Sequence, residues 1–395
     1  MEPKSFKSRS AVFLAVALGT LPFAAPPAPA QTFNVIYSFT GGADGGNPLA
    51  GFIIGPQGEL YGTTSVGGKH GAGTVFKISQ SGAEQVLYSF TGGADGANPN
   101  SSLIFDAAGN LYGTTYSGGS AGAGAVFKVT QAGAESVLYS FSGGTDGSNP
   151  QSKLIFDAAG NLYGTTYYGG AYAGGTVFEV TGSTEKVLHS FGNGTDGKNP
   201  TAGVTLTKKG VIFGTTSAGG TSGYGTVFRL EDLESGWSET ILHSFAMQND
   251  GATPYAGLVF DSSDNLYGTT TDGGSGGDGG GTVFELSYSA RTWNFKTLDV
   301  LAGSGISGTY RNVLLDTSGN IYATTHCDGT YSSGTVYKLT PSGSSWNYSS
   351  LYVFTGQDDG FYSFSNLVFD AQGNLYGTTK NGGSGGYGVV FKITP

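Results

Sequence analysis

The chain has 395 residues, of which 71 are glycine, while charged residues make up 12% and aromatic residues 13%. This composition excludes a disordered acidic chain, which would be poor in aromatic residues, and a helical bundle, because glycine is a poor helix former. The net charge of −10 repels phosphate backbones, so no nucleic-acid partner is expected. An all-β protein with many tight turns remains.

The first predicted element is a signal peptide over residues 1–30. A basic stretch over residues 1–10 precedes an apolar run over residues 11–21, and Ala28-Pro29-Ala30 has the A-x-A cleavage pattern. The run is short for a bilayer, and no later segment is apolar over the roughly 18 residues that a transmembrane helix needs. We therefore expect a secreted or periplasmic protein, with no transmembrane segment in the mature chain and a single domain over residues 31–395.

The rest of the chain consists of seven copies of one unit. Each copy contains a pentapeptide related to Leu-Tyr-Gly-Thr-Thr, then a glycine-rich stretch, then a segment related to Gly-Thr-Val-Phe-Lys. Spaced 50 to 55 residues apart, the pentapeptides begin at Leu60, Leu111, Leu162, Ile212, Leu266, Ile321 and Leu375. A period near 50 residues is typical of β-propeller blades, whereas a β-helix would need a much shorter period.

Each unit is predicted to form four short antiparallel strands, A to D. In the second copy, strand A covers residues 103–105, strand B 111–115, strand C 125–129 and strand D 137–141. These segments are rich in β-branched and aromatic residues and are bounded by glycine, asparagine, aspartate or serine, as strands between tight turns are. The sequence therefore predicts a seven-bladed β-propeller built from four-stranded blades.

The two ends of the chain predict how the ring closes. The last copy ends directly after its strand C, so it lacks a strand D. Residues 35–39 (Val-Ile-Tyr-Ser-Phe) match the D strands of later copies, including residues 86–90. We expect this N-terminal strand to pair with the seventh blade, which would remove the exposed sheet edge of an open array.

The repeated Y-G-T-T…G-G…G-T-V-F-K pattern resembles the bacterial tandem-repeat proteins called GloVer-containing, in a group named for its variable C-terminal anchors. The resemblance covers residues 35–395 and implies a secreted or surface-bound propeller without implying a known reaction. The sequence stops at Pro395 without a hydrophobic tail. We therefore expect this member to be released or periplasmic.

The D–A and B–C loops are expected to share one face of the propeller, around the mouth of the central channel. The D–A loops repeat Asp-Gly and often Asn-Pro, a pattern that favours turns in which the asparagine before proline stays extended. Calcium binding is the alternative interpretation, although each loop offers only one carboxylate. No other cofactor and no metal site is expected, because zinc requires three side-chain ligands and the sequence offers only His70, His326, Cys327 and Asp328. His189 and His243 replace tyrosines inside strand D and are interpreted as structural.

Departures from the repeat supply the candidate site residues. The sixth copy departs most, since His326-Cys327-Asp328 follows its strand B and Tyr310-Arg311-Asn312 leads into its strand A. Together with residues from other blades these predict a polar channel mouth suited to an anionic or hydroxyl-rich ligand. Its members are Lys153, Arg311, Asn312, His326, Asn366 and Lys380. The alternative is that the sixth blade has drifted without acquiring a function.

Tyrosines in the glycine-rich B–C loops, with Tyr116 and Tyr167 as the candidates, either stack on sugar rings or pack between blades. We therefore expect a monomeric module that binds a glycan, another extracellular polymer or a surface protein. The alternative is a polysaccharide lyase or glycoside hydrolase with His326 or a tyrosine as the base and Arg311 or Lys153 neutralising a uronate. An enzyme is less favoured, because the sequence lacks both a G-x-S-x-G elbow and a phosphate-binding loop.

Overall fold

A computed structural model describes residues 31–274, 279–301 and 308–394. The predicted signal peptide over residues 1–30 lies outside the described residues. Gln31–Pro395 form one compact unit. Within the described ranges every regular element is a β-strand, and there is no helix long and apolar enough to cross a membrane. The all-β prediction is confirmed.

The strands form seven antiparallel blades, each with the same order from its inner to its outer strand. The chain begins with β1 (Thr32–Ser38), and blade 1 contains β2 (Ile53–Ile54), β3 (Leu60–Thr64), β4 (Thr74–Ile78) and β5 (Glu84–Ser89). Blade 2 contains β6 (Ala97–Pro99), β7 (Ile104–Phe105), β8 (Leu111–Ser117), β9 (Ala125–Val129) and β10 (Glu135–Ser140). Blade 3 contains β11 (Ile155–Phe156), β12 (Leu162–Thr166), β13 (Thr176–Thr181) and β14 (Thr184–Ser190).

Blades 4 to 7 repeat this plan with longer outer hairpins in blades 4, 5 and 6. Blade 4 contains β15 (Gly197–Lys198), β16 (Thr205–Leu206), β17 (Ile212–Thr216), β18 (Ala218–Gly219), β19 (Thr226–Leu233) and β20 (Gly236–Ser244). Blade 5 contains β21 (Val259–Phe260), β22 (Leu266–Thr269), β23 (Thr282–Ser289) and β24 (Thr292–Val300). Blade 6 contains β25 (Leu314–Leu315), β26 (Ile321–Thr324), β27 (Thr335–Ser342) and β28 (Ser345–Val353), and blade 7 contains β29 (Val368–Phe369), β30 (Leu375–Thr379) and β31 (Val389–Thr394).

The predicted ring closure is confirmed. β1 pairs antiparallel with β31, from Thr32 opposite Thr394 to Ser38 opposite Val389, and so supplies strand D of blade 7. The strand covers residues 32–38 instead of the predicted 35–39. Phe39, which follows it, is fully buried against blade 1. The strand bounds in blade 2 likewise agree with the prediction to within two residues.

The hydrophobic core lies between neighbouring blades. At the interface of blades 1 and 2, Phe90 from the end of strand D meets Phe127 of the next strand C, with ring centroids 5.0 Å apart. Both rings are completely buried. The glycine of the Y-G-T-T motif makes room for this packing, since a Cβ at Gly113 would lie 2.7 Å from the ring of Phe127. The repeated glycine is therefore a packing requirement in this strand.

The D–A and B–C loops share a face, because they pair with each other within a blade. Ala97 of the D–A loop pairs with Ser117, and Ser148 forms a bridge with Tyr168 in blade 3. β15 pairs with β18 in the same way in blade 4. These ladders hold both loop sets at the same end of the channel.

The conformation expected for asparagine before proline is wrong. Asn47, Asn98, Asn149 and Asn199 have φ between 51° and 56°, in the left-handed region. Asparagine tolerates this region better than most residues. The side-chain amide of Asn98 donates to the carbonyl of Ser65 in blade 1 at 2.8 Å. The asparagine therefore serves as a clamp between blades, and this contact overrides the extended preference before proline.

Candidate functional site at the channel mouth

The residue two positions before each strand A faces the central channel, and in blades 2, 3, 4, 6 and 7 this residue lines its cavity. These seven equivalent positions are occupied by Gly51, Ser102, Lys153, Gly203, Gly257, Asn312 and Asn366. The channel encloses a cavity of about 490 Å³, whose lining includes Lys153, Arg311, Asn312 and Asn366. The structure thus brings four of the predicted site residues together. The alignment of Arg311 with small residues such as Ser101 explains why one long side chain fits there.

Arg311 spans the channel and binds main-chain carbonyls of three other blades. Its Nε donates to the carbonyl of Phe364 at 2.9 Å, and its Nη2 donates to those of Leu49 at 3.0 Å and Asn100 at 3.4 Å. Among the described residues no carboxylate lies within ion-pair distance of it. Burial lowers the pKa of Arg311 to about 10, so the guanidinium remains charged at neutral pH.

Two features of Arg311 follow from these bonds. The side chain ties blade 6 to blades 7, 1 and 2 across the channel. In addition, the two N–H groups of Nη1 donate to none of the residues that the structure describes, so an anionic ligand would find two charge-assisted donors there. Arg311 is thus both a structural tie and a candidate ligand contact.

The two channel asparagines are largely engaged within the protein. Asn312 Oδ1 accepts from the backbone N–H of Gly257 at 2.9 Å, and Asn366 Oδ1 accepts from the N–H of Asn312 at 2.9 Å. The amide of Asn366 also donates to the Ser102 hydroxyl at 3.3 Å. These bonds join blades 5, 6, 7 and 2 around the channel. The asparagines therefore mainly hold the site in place, and most of their hydrogen-bonding groups are used within the protein.

Lys153 is the channel cation that makes no hydrogen bond to the described residues. It keeps contact with solvent in the channel, yet protein surrounds it, and burial lowers its pKa. No hydrogen bond or ion pair joins its ammonium group to any described residue. An anion entering the cavity would therefore meet an uncompensated positive charge at Lys153.

His326 lies in a cluster of aromatic rings above the channel. Its imidazole centroid is 4.4 Å from Phe364, 4.5 Å from Tyr362 and 5.0 Å from Tyr310. Burial, and second the charge of Lys380, lower the pKa of His326 to about 4, so the ring is neutral at physiological pH. Its Nδ1 is buried and has no hydrogen-bond partner among the described residues. Lys380 Nζ lies 5.6 Å from the Phe364 ring centroid, in a cation–π contact.

A second group of tyrosines lies in the loops of blades 2, 3 and 5. Tyr167 packs edge-on against Tyr168, with centroids 4.4 Å apart. Burial, and then Tyr255, Tyr168 and Tyr116, raise the pKa of Tyr167 to about 12. Tyr255 in turn lies 5.2 Å from Tyr310. The two predicted tyrosines, Tyr116 and Tyr167, are half-buried in an aromatic surface that reaches the His326 cluster through Tyr255 and Tyr310, although no ring contact joins Tyr116 to the other described rings.

Sequence reasoning missed Tyr255, Tyr310, Tyr362 and Phe364 as members of this surface. The signal was present, because the position two residues before the channel residue is aromatic only in the last three blades. The seven residues at that position are Leu49, Asn100, Gln151, Thr201, Tyr255, Tyr310 and Phe364. The contribution of Tyr362 depends on its left-handed backbone, with φ of 60°, which no sequence pattern indicated.

The repeated aspartates of the D–A loops have their oxygens engaged in the turn in the regular blades. Asp95 accepts from the hydroxyl of Tyr88, the N–H of Thr91 and the hydroxyl of Thr91. Burial alone would raise the pKa of Asp95, but these hydrogen bonds outweigh it and leave the pKa lowered. The geometry favours turn chemistry at these loops, and the calcium interpretation gains no support from it.

The profile of the Gloeobacter/Verrucomicrobia repeat matches residues 19–228 and 204–395. The chain belongs to this repeat family. The resemblance drawn from the Y-G-T-T repeats is thereby confirmed. No curated protein matches the chain by sequence.

Solved structures resemble the chain in fold. A polysaccharide lyase of family PL25, an ulvan lyase bound to a GlcA-Rha3S polymer, is 13% identical with a TM-score of 0.54, and the match covers 88% of this chain and 94% of that one. A candidate 6-phosphogluconolactonase from Bacteroides uniformis is 15% identical with a TM-score of 0.52, and the match covers 82% of this chain and 88% of that one. At these identities the likeness concerns the propeller fold alone.

Proposed function

We propose that this protein is a secreted propeller that binds a glycan, and specifically an acidic one, at the mouth of its channel. The observation that carries the proposal is the combination of this aromatic surface with cations that have no carboxylate partner among the described residues. Aromatic faces stack on sugar rings, and ammonium or guanidinium groups recognise carboxylate and sulfate groups. Both chemistries occur together on the face formed by the D–A and B–C loops.

The charge distribution supports an anionic ligand. The whole chain carries a net charge of −10, yet Lys153, Arg311 and Lys380 gather in the channel and at its mouth. Burial, and then the charge of the nearby Asp272, raise the pKa of Tyr255 and of Tyr310, so one carboxylate lies close to these two tyrosines. A local excess of positive charge on an acidic protein attracts an anion to that place in preference to the remaining surface.

A lyase is the second candidate, and His326 is the observation that favours it. Its imidazole is neutral and lies beside Tyr310 and Tyr362, and its unpartnered Nδ1 could accept a proton. A pKa of about 4 makes this ring a weak base, however, because efficient general bases have pKa values near the working pH. The PL25 ulvan lyase shares only the fold, so binding is the better-supported function.

The direct test measures binding of a uronate-containing oligosaccharide to the purified protein by calorimetry, beside the same oligosaccharide with its carboxyls reduced. We expect the acidic form to bind at least about 10-fold more tightly, since charge-assisted bonds contribute more than neutral ones. Tyr310→Ala and Lys153→Met should each weaken binding at least 10-fold. Release of an unsaturated uronate, detected by its ultraviolet absorbance, would identify a lyase instead.

Matched controls lie on the opposite face of the propeller. Tyr288 is 58% exposed at a C–D hairpin, and Lys209 lies in an A–B turn. Tyr288→Ala and Lys209→Met should leave affinity unchanged. Equal affinity for the acidic and reduced oligosaccharides would contradict the acidic preference, and loss of affinity in the control variants alone would contradict the placement of the site.

A further inference from the structure

Blade interfaces carry a repeated cluster near their outer rim, which we call the rim triad. It consists of the tyrosine or histidine near the end of one strand D, the aspartate of the following D–A turn, and a residue that faces them from the next strand D. Between blades 1 and 2 these are Tyr88, Asp95 and Glu135. Tyr88 donates to Asp95 at 2.9 Å, and burial, then Asp95 and then Glu135, raise its pKa.

The rim triad recurs at two further blade interfaces. Tyr37 with Asp44 and Glu84, and Tyr139 with Asp146 and Glu185, repeat the arrangement between blades 7 and 1 and between blades 2 and 3. In each of these three triads a hydroxyl occupies the second aspartate oxygen. The donors are Thr40, Thr91 and Ser142.

The rim triad between blades 3 and 4 differs at two places at once. The tyrosine is replaced by His189, and the residue equivalent to Thr91 is Gly192. Asp196 is only 8% exposed, and its Oδ1, which has lost the hydroxyl donor, has no hydrogen-bond partner among the described residues. Glu239, from the next strand D, has a buried Oε1 that is also unpartnered. The same holds for the glutamates of the regular triads, Glu84, Glu135 and Glu185, so the unpartnered Asp196 Oδ1 is what sets this triad apart. Buried carboxylate oxygens left in this way are costly unless a cation or donor occupies the space between them.

The three side chains converge with the spacing of metal ligands. His189 Nε2 is 3.2 Å from Asp196 Oδ2 and 3.8 Å from Glu239 Oε2. One ligand atom from each residue lies within 4.8 Å of the others. Ligands about 2.0–2.2 Å from a tetrahedral zinc ion are roughly 3.3–3.6 Å apart. The distances of 3.2 Å and 3.8 Å lie just below and just above this range, so small side-chain shifts would bring both into it. The triad lines a cavity of about 490 Å³, so an ion and a bound water can enter.

We propose that His189, Asp196 and Glu239 form a site for a divalent transition-metal cation, with zinc as the best-fitting ion. A neutral imidazole and two carboxylates balance its charge, and a water completes the tetrahedron. Calcium fits less well, because it requires six to eight oxygen ligands. The ion would join β14, the following D–A turn and β20, and so staple blade 3 to blade 4.

The test adds zinc chloride to the purified, chelator-treated protein and measures stoichiometry and affinity by calorimetry. We expect one zinc ion per chain, and a rise in Tm of at least about 3 °C at saturating zinc. His189→Tyr restores the residue of the neighbouring triads, so it should fold and yet lose at least 100-fold in affinity. Glu239→Gln keeps the side-chain shape and should lose at least 10-fold.

The triad between blades 4 and 5 offers a matched control. It has His243 beside Asp250, at 3.1 Å, but Phe295 replaces the glutamate and stacks on the imidazole. His243→Tyr should therefore retain full zinc affinity. Zinc binding that is absent in the unmodified protein, or that survives in His189→Tyr and Glu239→Gln, would overturn the proposal. Loss of binding in His70→Ala alone would assign the ion to a surface histidine and overturn it as well.

Discussion

Two sets of blade interfaces differ although their backbones repeat. The four interfaces from blades 7/1 to blades 3/4 keep Asn-Pro in the D–A loop and a glutamate in the rim triad. The three interfaces from blades 4/5 to blades 6/7 have lost the Asn-Pro pair. Their rim positions carry Phe295, Tyr348 and Phe33 in place of the glutamate. We call the two sets the acidic and the aromatic interfaces.

The acidic interfaces contain carboxyl groups whose ionised form is unfavourable. Burial, and then the nearest aspartate, raise the pKa of Glu84, Glu135 and Glu185 to about 7. The aromatic interfaces avoid this problem by stacking. His243 lies 3.7 Å from Phe295 with nearly parallel planes, and Phe33 lies 3.7 Å from Tyr352.

The D–A loops at the aromatic interfaces also carry the aromatic residues of the channel mouth. Tyr255, Tyr310 and Phe364 enter the site from these three loops, whereas the equivalent residues at the acidic interfaces are not aromatic. The regular interfaces maintain the ring and contribute Lys153 to the candidate site, while the divergent interfaces contribute its aromatic D–A loop residues and Arg311. The proposed zinc site lies at the last acidic interface, where the chain changes from one set to the other.

The largest effect is expected from breaking an acidic interface outright. Deleting residues 31–40 removes β1 and Phe39, leaves β31 with an unpaired edge and exposes the core between blades 7 and 1. We expect aggregation and loss of cooperative unfolding, measured by size-exclusion chromatography and calorimetry. A soluble monomer with the original Tm would show that β1 does not close the ring.

Exchanging the rim residues of the acidic and the aromatic interfaces tests the comparison directly. Phe295→Glu removes the stack on His243 and buries a carboxyl, so we expect the free energy of unfolding to fall by about 2–3 kcal/mol at pH 8. The reverse change, Glu135→Phe, should raise it by about 1 kcal/mol, because a ring can stack on Tyr88 as Phe33 does on Tyr352. Chemical denaturation measures both. Equal effects of the same sign would mean that the two kinds of interface are not alternatives.

The acidic interfaces should also make stability depend on pH. A glutamate with a raised pKa holds its proton more tightly in the folded state, so its stabilising contribution is complete below about pH 4.5 and is lost as the pH rises to about 7. We expect about 1 kcal/mol per site after allowing for solvent screening. The triple variant Glu84→Gln, Glu135→Gln, Glu185→Gln should flatten the profile of unfolding free energy between pH 5 and pH 8. An unchanged slope would show that these carboxyls titrate normally.

The smallest expected effect concerns the clamp residues of the D–A loops. Asn98→Ala removes a hydrogen bond to Ser65 and places alanine in the left-handed region, which should lower the free energy of unfolding by about 1–2 kcal/mol. Thr253 occupies the same position at an aromatic interface with φ of 56°. Thr253→Asn should raise stability by about 0.5–1 kcal/mol, because asparagine suits this backbone better. Urea denaturation distinguishes the two signs, and destabilisation by Thr253→Asn would contradict this account.

The amino-acid sequence by itself determined the fold. A repeat of about 50 residues, four short strands per unit and a displaced N-terminal copy of strand D led to seven blades and a closed ring. These features are local or periodic, so the strands predicted for one unit can be assigned to the other six by alignment. Alignment of the repeats also indicated Arg311, His326 and Lys153 as candidates, because each differs from the residues at the equivalent position in the other repeats.

Only the tertiary structure decided what these residues do. Arg311 donates to the carbonyl of Leu49, which is 262 positions away. The sequence predicted only a ligand contact for Arg311, because nothing in the repeat pattern indicates this bond. The rim triads likewise join residues from successive blades, so His189 acquires its partners only when strand D of blade 4 packs beside it. Contacts across blades depend on the register and closure of the whole ring, so they cannot be predicted from the sequence of a single repeat unit.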